Sequence, residues 1–367
     1  MDQSPVSLAA CECLTALGDT AQTQGALERG QGALELRPFG GAEGGDLVPL
    51  ALIPGRPLDE SSPPSWLPAV RTLMGRCPAG PWGGPRHPVF VTSSNFGVGG
   101  LFAFRRGGGR EHVEFGSPEA CVRLVRGELG WGPNVTTISH ACVSSNLGLV
   151  LAGRHLAMGL ADSALVFTFD FLSPFVAGGF YALKILNAGL PAPYRAQETG
   201  SIGLGDGAAF AVLERGEGEW RIEAQTLYNE MHHFTAFPAD GSGFAACIEP
   251  LARLARGRRV WIKGHGTGTL DAGRLEAEAF ARALPESPLV GWKGGLGHTL
   301  GSNGLVELAI AREAMRRGRI PGTVGTSAPT FAPNVAVGSL DGRAYDAVIC
   351  ASNAFGGAHA AVLLAHA

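Results

Sequence analysis

Short apolar segments that end in turns alternate with helical patterns along most of the 367-residue chain. The segments that predict strands are residues 89–94, 135–139, 164–171, 210–216, 347–353 and 360–365. Residues 260–269 predict a further strand followed by a turn. Apolar residues at helical spacing predict helices over 142–162, 274–284 and 302–317. Strands that alternate with helices over a whole chain predict an α/β fold whose sheet is buried on both faces.

The amino-terminal quarter of the chain is less regular. Residues 20–38 predict a short helix and its exit, whereas residues 40–88 are rich in glycine and proline and predict surface loops with one helix near 66–74. No linker of unusual length or charge divides the chain, so we expect one domain with room for two similar halves.

The composition argues against several classes of protein. Charged residues are 17% and apolar residues 45% of the chain, a balance that favours a folded core over disorder. A net charge of −3 gives no basic field for nucleic acid. Seven cysteines without a CxxC pair predict neither a disulfide framework nor a zinc ribbon. Without a signal-peptide pattern or an apolar stretch of membrane length, we expect a cytoplasmic protein with no membrane span.

Cys142 lies where a predicted buried strand ends and a long predicted helix begins. Unpaired N–H groups and the helix dipole favour a thiolate at such a position. The same N–H groups can hold a developing oxyanion. The alternative is a small buried apolar cysteine, and the position alone leaves both interpretations open.

Two histidines lie in glycine-rich turns that follow predicted strands. His265 belongs to KGHGTGT, and His298 belongs to WKGGLGHTLGSNG together with Lys293. The chain has only three lysines among its 29 basic residues, so each lysine is informative. A cysteine at a strand end, two glycine-flanked histidines and a scarce lysine together indicate nucleophilic acyl chemistry.

Six segments, in family order, resemble β-ketoacyl-acyl carrier protein synthases of the KAS I and II type. They are ISHACVSSNLGLVLAG, PYRAQETGSIGLGDGAAFAVLE, HHFTAFPADGSG, HGTGTLDAGRLEAEA, KGGLGHTLGSNGLVE and SNAFGGAHAAVLL. The carboxy-terminal loop is shorter than the family's, and the stretch between Phe96 and Trp131 is brief. In these departures the chain is similar to divergent type II polyketide or aryl polyene-like members.

The resemblance implies the thiolase fold, an α/β fold of two similar βα halves in five alternating layers. Residues 1–216 would form the half with the nucleophilic cysteine, and residues 217–367 the half with both histidines. The family is usually dimeric, so a homodimer, or a heterodimer with a ketosynthase-like or chain-length-factor paralogue, is expected. The expected partner is an acyl carrier protein, which would bring acyl and malonyl thioesters.

The resemblance also assigns roles to residues. Cys142 would carry the acyl group, and the N–H groups of Cys142 and Phe355 would form the oxyanion hole. His265 and His298 would stabilise the enolate that forms when malonyl loses carbon dioxide. Lys293 would pair with Glu276 and orient His298. The pocket and its gate would include Thr267, Thr269, His233, Phe355, Gly356 and Gly357. No metal or other cofactor is needed.

Two other functions remain open beside an active condensing enzyme. One is a non-catalytic partner of an active ketosynthase, like the chain-length factors, although those typically lose the cysteine that is present here. The other is a thioester acyltransferase on the same scaffold, which would need Cys142 but no decarboxylation. For docking an acidic carrier protein, two arginine groups are candidates: residues 312–319 and residues 105–110.

Overall fold

The computed structural model describes residues 5–39, 45–58, 64–197, 200–328 and 330–367. Its strands are β1 (Val6–Thr15), β2 (Gly18–Asp19), β3 (Glu35–Phe39), β4 (Asp46–Ala51), β5 (Val89–Thr92), β6 (Val135–Ile138), β7 (Ser163–Asp170), β8 (Leu204–Gly205), β9 (Gly207–Arg215), β10 (Trp220–Asn229), β11 (Val260–Lys263), β12 (Leu289–Val290), β13 (Arg319–Ile320), β14 (Leu340–Asp341), β15 (Ala347–Ala354) and β16 (Ala358–His366).

The α-helices are α1 (Thr20–Glu28), α2 (Leu67–Met74), α3 (Val98–Arg105), α4 (Pro118–Leu129), α5 (Ser144–Ala157), α6 (Pro174–Ala182), α7 (Ser242–Leu254), α8 (Leu270–Ala283), α9 (Lys293–Leu296) and α10 (Asn303–Arg317). Short 3₁₀ helices lie at Arg110–Phe115, Leu300–Ser302 and Gly342–Ala344. No helix in the part of the chain that the structure describes is long and apolar enough to cross a membrane.

Two sets of five strands with the same internal order form one continuous sheet. The first set runs β6-β5-β7-β9-β1 and the second runs β12-β11-β15-β16-β10. In each set the first two pairings are parallel and the last two antiparallel. The sets meet where β1 pairs with β10 at Ser7 and Arg221. Since β9 ends at Arg215 and β10 starts at Trp220, we propose residues 1–216 and 217–367 as two halves of one unit.

Helices cover both faces of this sheet. Along β9, Ala209, Ala211 and Leu213 pack into a cluster with α5 and α10, whereas Phe210 and Val212 pack on the other face with α2 and α4. Strand β15 alternates in the same way between α10 on one face and α7 and α8 on the other. Helices α5 and α10 therefore form the inner layer, where side chains from both halves meet.

The predicted strands and helices are present, with shifted ends. The helix expected over 142–162 is α5, which begins two residues after Cys142 and ends at Ala157. Sequence patterns missed β1, β10, α4 and α7. The loop prediction for 40–88 is wrong at β4, which pairs with β3 and β8; residues 40–44 and 59–63 lie outside the described residues.

Candidate active site

Residues from both halves line one small apolar cavity of about 40 Å³. Its lining consists of Cys142, Phe180, Ile185 and Ile202 from the first half, and Phe237, His265, Thr267, Thr269, His298, Asn353, Ala354 and Phe355 from the second. The structure thus brings the predicted cysteine and both predicted histidines together. They are supplied by turns that follow β6, β11 and β12, and these strand ends meet where the two halves face each other.

A tight turn between β6 and α5 presents Cys142. Ala141 has a φ of 45°, in the left-handed region that a residue with a side chain rarely adopts. Ser144 stabilises the turn because its Oγ accepts the His140 N–H at 2.8 Å and donates to the Ala141 carbonyl at 2.7 Å. On the other side, the Asn303 amide donates to the Cys142 carbonyl at 2.5 Å. Asn303 begins α10, so the second half holds the nucleophile turn in place.

Burial raises the pKa of the Cys142 thiol to about 12. The Lys293 ammonium lowers this pKa, and so do hydrogen bonds from the backbone N–H groups of Phe355 and Cys142, whereas the Asp170 carboxylate raises it. Of the two interpretations that the sequence position leaves open, this pKa favours a buried, protonated thiol in the resting protein, because burial outweighs the helix terminus. The two N–H groups nevertheless face the sulfur, as a future oxyanion would require.

The two imidazoles lie close together and are neutral. Their ring centroids are 5.0 Å apart with planes at 89°. Burial, and then the charge of Lys293, hold the pKa of both His265 and His298 well below the usual range. The Leu300 N–H donates to His298 Nδ1 at 3.2 Å, which leaves the ring proton of neutral His298 on Nε2. His298 can therefore act as a hydrogen-bond donor without being charged.

Glu276 holds the turn that carries His265. Its carboxylate accepts the backbone N–H groups of His265 at 2.6 Å and Gly266 at 3.0 Å. The Tyr194 hydroxyl donates to it at 2.8 Å and the Asn353 amide at 3.2 Å. Burial raises the pKa of Glu276 while these four donors favour its ionised form. Glu276 thus links the His265 turn to β15, whose end precedes Phe355.

The expected pairing of Lys293 with Glu276 is wrong, because Lys293 pairs with Glu307 on α10. Its Nζ lies 2.9 and 3.0 Å from the two Glu307 oxygens and donates to the His265 carbonyl at 2.8 Å. Burial lowers the pKa of Lys293 to about 8, while Glu307 raises it. Lys263 forms a second ion pair with Glu307. Sequence reasoning did not place Glu307 or Lys263 at the site. Signals for both were present, because Glu307 is the last residue of KGGLGHTLGSNGLVE and Lys263 is one of only three lysines.

The predicted pocket and gate residues take several positions. Thr267 and Thr269 line the cavity, with their hydroxyls 2.9 Å apart. Phe355 lines it too, and its ring stacks on Phe180 at 6.2 Å between centroids. Gly356 and Gly357 follow with φ of 87° and 76°.

His233 lies on an exposed loop rather than on the cavity wall. There its Nδ1 accepts the N–H groups of Thr235 and Ala236, both at 3.2 Å. This loop still touches the gate, since the Gly356 N–H donates to the Phe234 carbonyl at 2.7 Å.

Comparison with known protein families and proteins finds sequence relatives for part of the chain. Residues 222–327 match the model of the β-ketoacyl synthase C-terminal domain. The tetracenomycin polyketide synthase ketoacyl synthase alpha subunit of Streptomyces glaucescens is 31% identical over 278 residues, which are 68% of this chain and 64% of that protein. The 3-oxoacyl-[acyl-carrier-protein] synthase 2 of Coxiella burnetii is 28% identical over 320 residues, 76% of this chain and 75% of that one. The chain spans less than two thirds of the tetracenomycin relative.

Solved structures share the fold over nearly the whole chain. A ketosynthase in complex with its chain length factor from Xenorhabdus doucetiae has a TM-score of 0.82 at 22% identity, and the match covers 99% of this chain and 98% of that one. A β-ketoacyl synthase from Burkholderia phymatum has a TM-score of 0.83 at 21% identity, with 99% and 100% covered. The fold is therefore the thiolase fold of ketosynthases, and residues 222–327 belong to the β-ketoacyl synthase C-terminal domain family.

Proposed function

We propose that this chain is an active β-ketoacyl-acyl carrier protein synthase that condenses an acyl group on Cys142 with a malonyl thioester. The observation that carries the proposal is one apolar cavity in which the Cys142 sulfur faces two backbone N–H groups and lies beside two neutral imidazoles. A nucleophile, an oxyanion hole and a pair of neutral donors are the three parts that this chemistry needs.

In the first step, Cys142 Sγ attacks the carbonyl carbon of an acyl thioester on the carrier protein. The oxyanion of the tetrahedral intermediate accepts the N–H groups of Cys142 and Phe355. The carrier thiol then leaves and takes the proton that the cysteine gives up, since the resting residue is a thiol. The acyl group remains on Cys142, and its chain occupies the apolar side of the cavity between Phe180, Ile202 and Phe355.

In the second step, a malonyl thioester replaces the first carrier. Its carboxylate leaves as carbon dioxide, and the electron pair of the broken bond forms an enolate on the thioester. His265 and His298 donate hydrogen bonds to the enolate oxygen, which neutral rings can do without protonating the carbanion. The enolate carbon attacks the acyl carbonyl on Cys142, the carbon–sulfur bond breaks, and the thiolate takes up a proton.

For docking the carrier protein, we propose the arginines of α3 and the following 3₁₀ helix rather than those of α10. Arg316 and Arg317 are held by Glu313, and Arg319 by Glu28. Arg105, Arg106 and Arg110 are exposed. Helix α3 also packs on α6, which carries Phe180 of the cavity, so a carrier docked there would lie near the site.

We also propose that the chain acts as a homodimer or with a ketosynthase-like paralogue. Support comes from solved relatives that are complexes of a ketosynthase with a chain length factor. Size-exclusion chromatography with light scattering at micromolar concentration tests this proposal, and a monomer would contradict it.

Intact mass spectrometry after mixing with acyl-carrier thioesters of several chain lengths tests the activity. We expect a mass gain equal to the acyl group, lost in Cys142→Ala and kept in Cys77→Ala, a half-buried thiol outside the cavity. Malonyl-carrier protein should then release carbon dioxide and the extended product. Absence of acylation with every thioester would favour the non-catalytic partner, and acylation without decarboxylation would favour a plain acyltransferase.

A further inference from the structure

Two of the chain's three lysines meet at one carboxylate beneath the site. Lys263 ends β11, Lys293 begins α9, and both ammonium groups form ion pairs with Glu307 of α10. All three side chains are at most 2% exposed. Because 26 of the 29 basic residues are arginines, two buried lysines at one glutamate are an exception that calls for a physical reason.

Stabilisation of the fold does not supply that reason. One lysine is enough to compensate Glu307, and Lys293 already makes three close contacts with its oxygens and with the His265 carbonyl. A second buried ammonium adds a desolvation cost of several kcal/mol. Besides Glu307, Lys263 has the Trp292 ring, whose centroid is 6.0 Å from its Nζ. The second charge therefore costs stability, and its position next to the catalytic turns indicates what it does.

Charges of both signs surround the two imidazoles. The titratable side chains are Cys142 before α5, Asp170 at the end of β7, Tyr194, Lys263 on β11, Glu276 on α8, Lys293 on α9, Glu307 on α10 and His359 on β16. Glu276 is bound by the N–H groups of the His265 turn, and Glu307 lies against the two lysines. For His298, the charges that lower its pKa are those of Lys293 and Lys263.

We propose that Lys263 is a positioning residue for the condensation: its ammonium, added to that of Lys293, keeps the two imidazoles in their neutral, hydrogen-bond-donating form. Glu307 offsets one of the two ammonium charges, so the Lys263 charge adds to burial and to the Lys293 charge in disfavouring a protonated ring. A protonated ring would donate a proton to the enolate and end the reaction as simple decarboxylation. The role of Lys263 rests on the proposed condensation, but the protonation state it sets does not.

The test compares Lys263→Met with the wild type by NMR of the protein with isotope-labelled histidine. In the wild type, His265 and His298 should stay neutral from about pH 8 down to about pH 5.5. In Lys263→Met, removal of one nearby charge should raise the protonation midpoint of at least one ring, measured as a shift toward the usual imidazole range. In a plot of condensation rate against pH, the acid limb should move to higher pH in the same way, and more of the malonyl thioester should end as the simple decarboxylation product at low pH.

Lys184→Met is the matched control, because it removes the same charge from an exposed position. It should change neither the titration nor the pH profile. If Lys263→Met does not fold, as judged by circular dichroism, Lys263→Gln replaces it. Imidazole midpoints unchanged in a folded variant would overturn the proposal, and so would a shifted midpoint with an unmoved acid limb. A wild type that never decarboxylates malonyl thioesters would refute the proposed function, while the NMR titration would still test the charge of Lys263.

Discussion

The two halves have the same strand order, yet they hold the turns around the site by different means. In the first half, the turns after β5 and β7 meet at Asp170, whose carboxylate accepts N–H and O–H groups of Ser93, Ser94 and Asn95. In the second half, the turns after β11 and β12 meet at Glu307, which is bound by two ammonium groups. One scaffold thus uses neutral donors around the nucleophile and full charges beneath the imidazoles.

This difference separates two requirements of the chemistry. The nucleophile needs N–H groups aimed at a developing oxyanion. Extra cations near the nucleophile would add little to the stabilisation of that oxyanion. The imidazoles need to stay neutral, which burial and then the nearby positive charges bring about. The halves should therefore respond differently to a lost charge, to pH and to a lost close contact.

The largest effect is expected from Glu307→Gln. This substitution leaves two buried ammonium groups without a counter-charge, and breaking a buried pair in this way costs about 3–5 kcal/mol. Urea unfolding measures the loss. Glu313→Gln, on the same helix, removes a carboxylate that pairs with partly exposed arginines, and it should cost about 1 kcal/mol or less. Equal losses in the two variants would mean that the lysine pairs contribute no more than a surface pair.

The pH dependence of stability probes the other half. Burial raises the pKa of Asp170 to about 6 from 3.8, so the native state keeps this proton when the unfolded chain has lost it. The contribution of Asp170 to stability therefore falls as pH rises from about 4 to about 6, by about 3 kcal/mol. Asp170→Asn should remove this slope from urea midpoints measured across the range. A slope unchanged in the variant would show that other groups cause it.

The close approach of the two halves gives a third test. A Cβ on Gly301 would lie 2.7 Å from the Ser94 nitrogen, 2.8 Å from Asp170 Oδ2 and 3.0 Å from the Ala141 carbonyl oxygen. Gly301→Ala should therefore push the nucleophile turn away and cost about 1–3 kcal/mol, with slower acylation of Cys142. In Gly127→Ala, on the exposed face of α4 with nothing within 4 Å, stability should rise slightly. If Gly301→Ala changes neither the stability nor the acylation rate, the two halves can move apart far enough to accommodate the added methyl group.

The sequence could predict the layout of this site better than its electrostatics. Motifs around Cys142, His265 and His298 carry local signals, namely a strand end followed by glycine turns, and the structure brings these residues together. The partner of Lys293 was beyond such reasoning, because Glu276 and Glu307 both lie on helices near it in sequence and only packing decides between them. For Cys142 the sequence left a thiolate and a buried thiol both open, and it could not decide between them because burial depends on the other half of the chain.

The strands that were missed have a physical explanation as well. Strand β10 has mostly half-buried or exposed positions, so the alternation of apolar and polar residues that marks a strand is weak there. It is fixed instead by pairing with β16 along its whole length, a contact between residues more than a hundred positions apart. Patterns within one segment cannot reveal such pairing.

The smallest expected effect concerns a polar chain that joins the gate to the His265 turn. Glu230 lies 3.2 Å from His359 Nε2, and His359 Nδ1 lies 2.9 Å from the Asn353 amide oxygen. Asn353 in turn donates to Glu276. The Glu230 N–H also donates to the Gly357 carbonyl at 2.9 Å, so Glu230 touches both the gate loop and this chain.

Glu230→Gln keeps the shape of the side chain and removes its charge, so His359 loses its charged partner while the fold is retained. Because Phe355 precedes Gly357 by two residues, we expect its N–H to be held less firmly and acylation of Cys142 to slow by about tenfold or less, about 1 kcal/mol. Single-turnover acylation followed by intact mass measures this rate. Glu223→Gln on β10, the strand that ends one residue before Glu230, removes a carboxylate that pairs with Arg258 and should leave this rate unchanged. If both variants acylate at the wild-type rate, the gate is positioned by its backbone alone, unlike the nucleophile turn, which the Ser144 and Asn303 side chains hold.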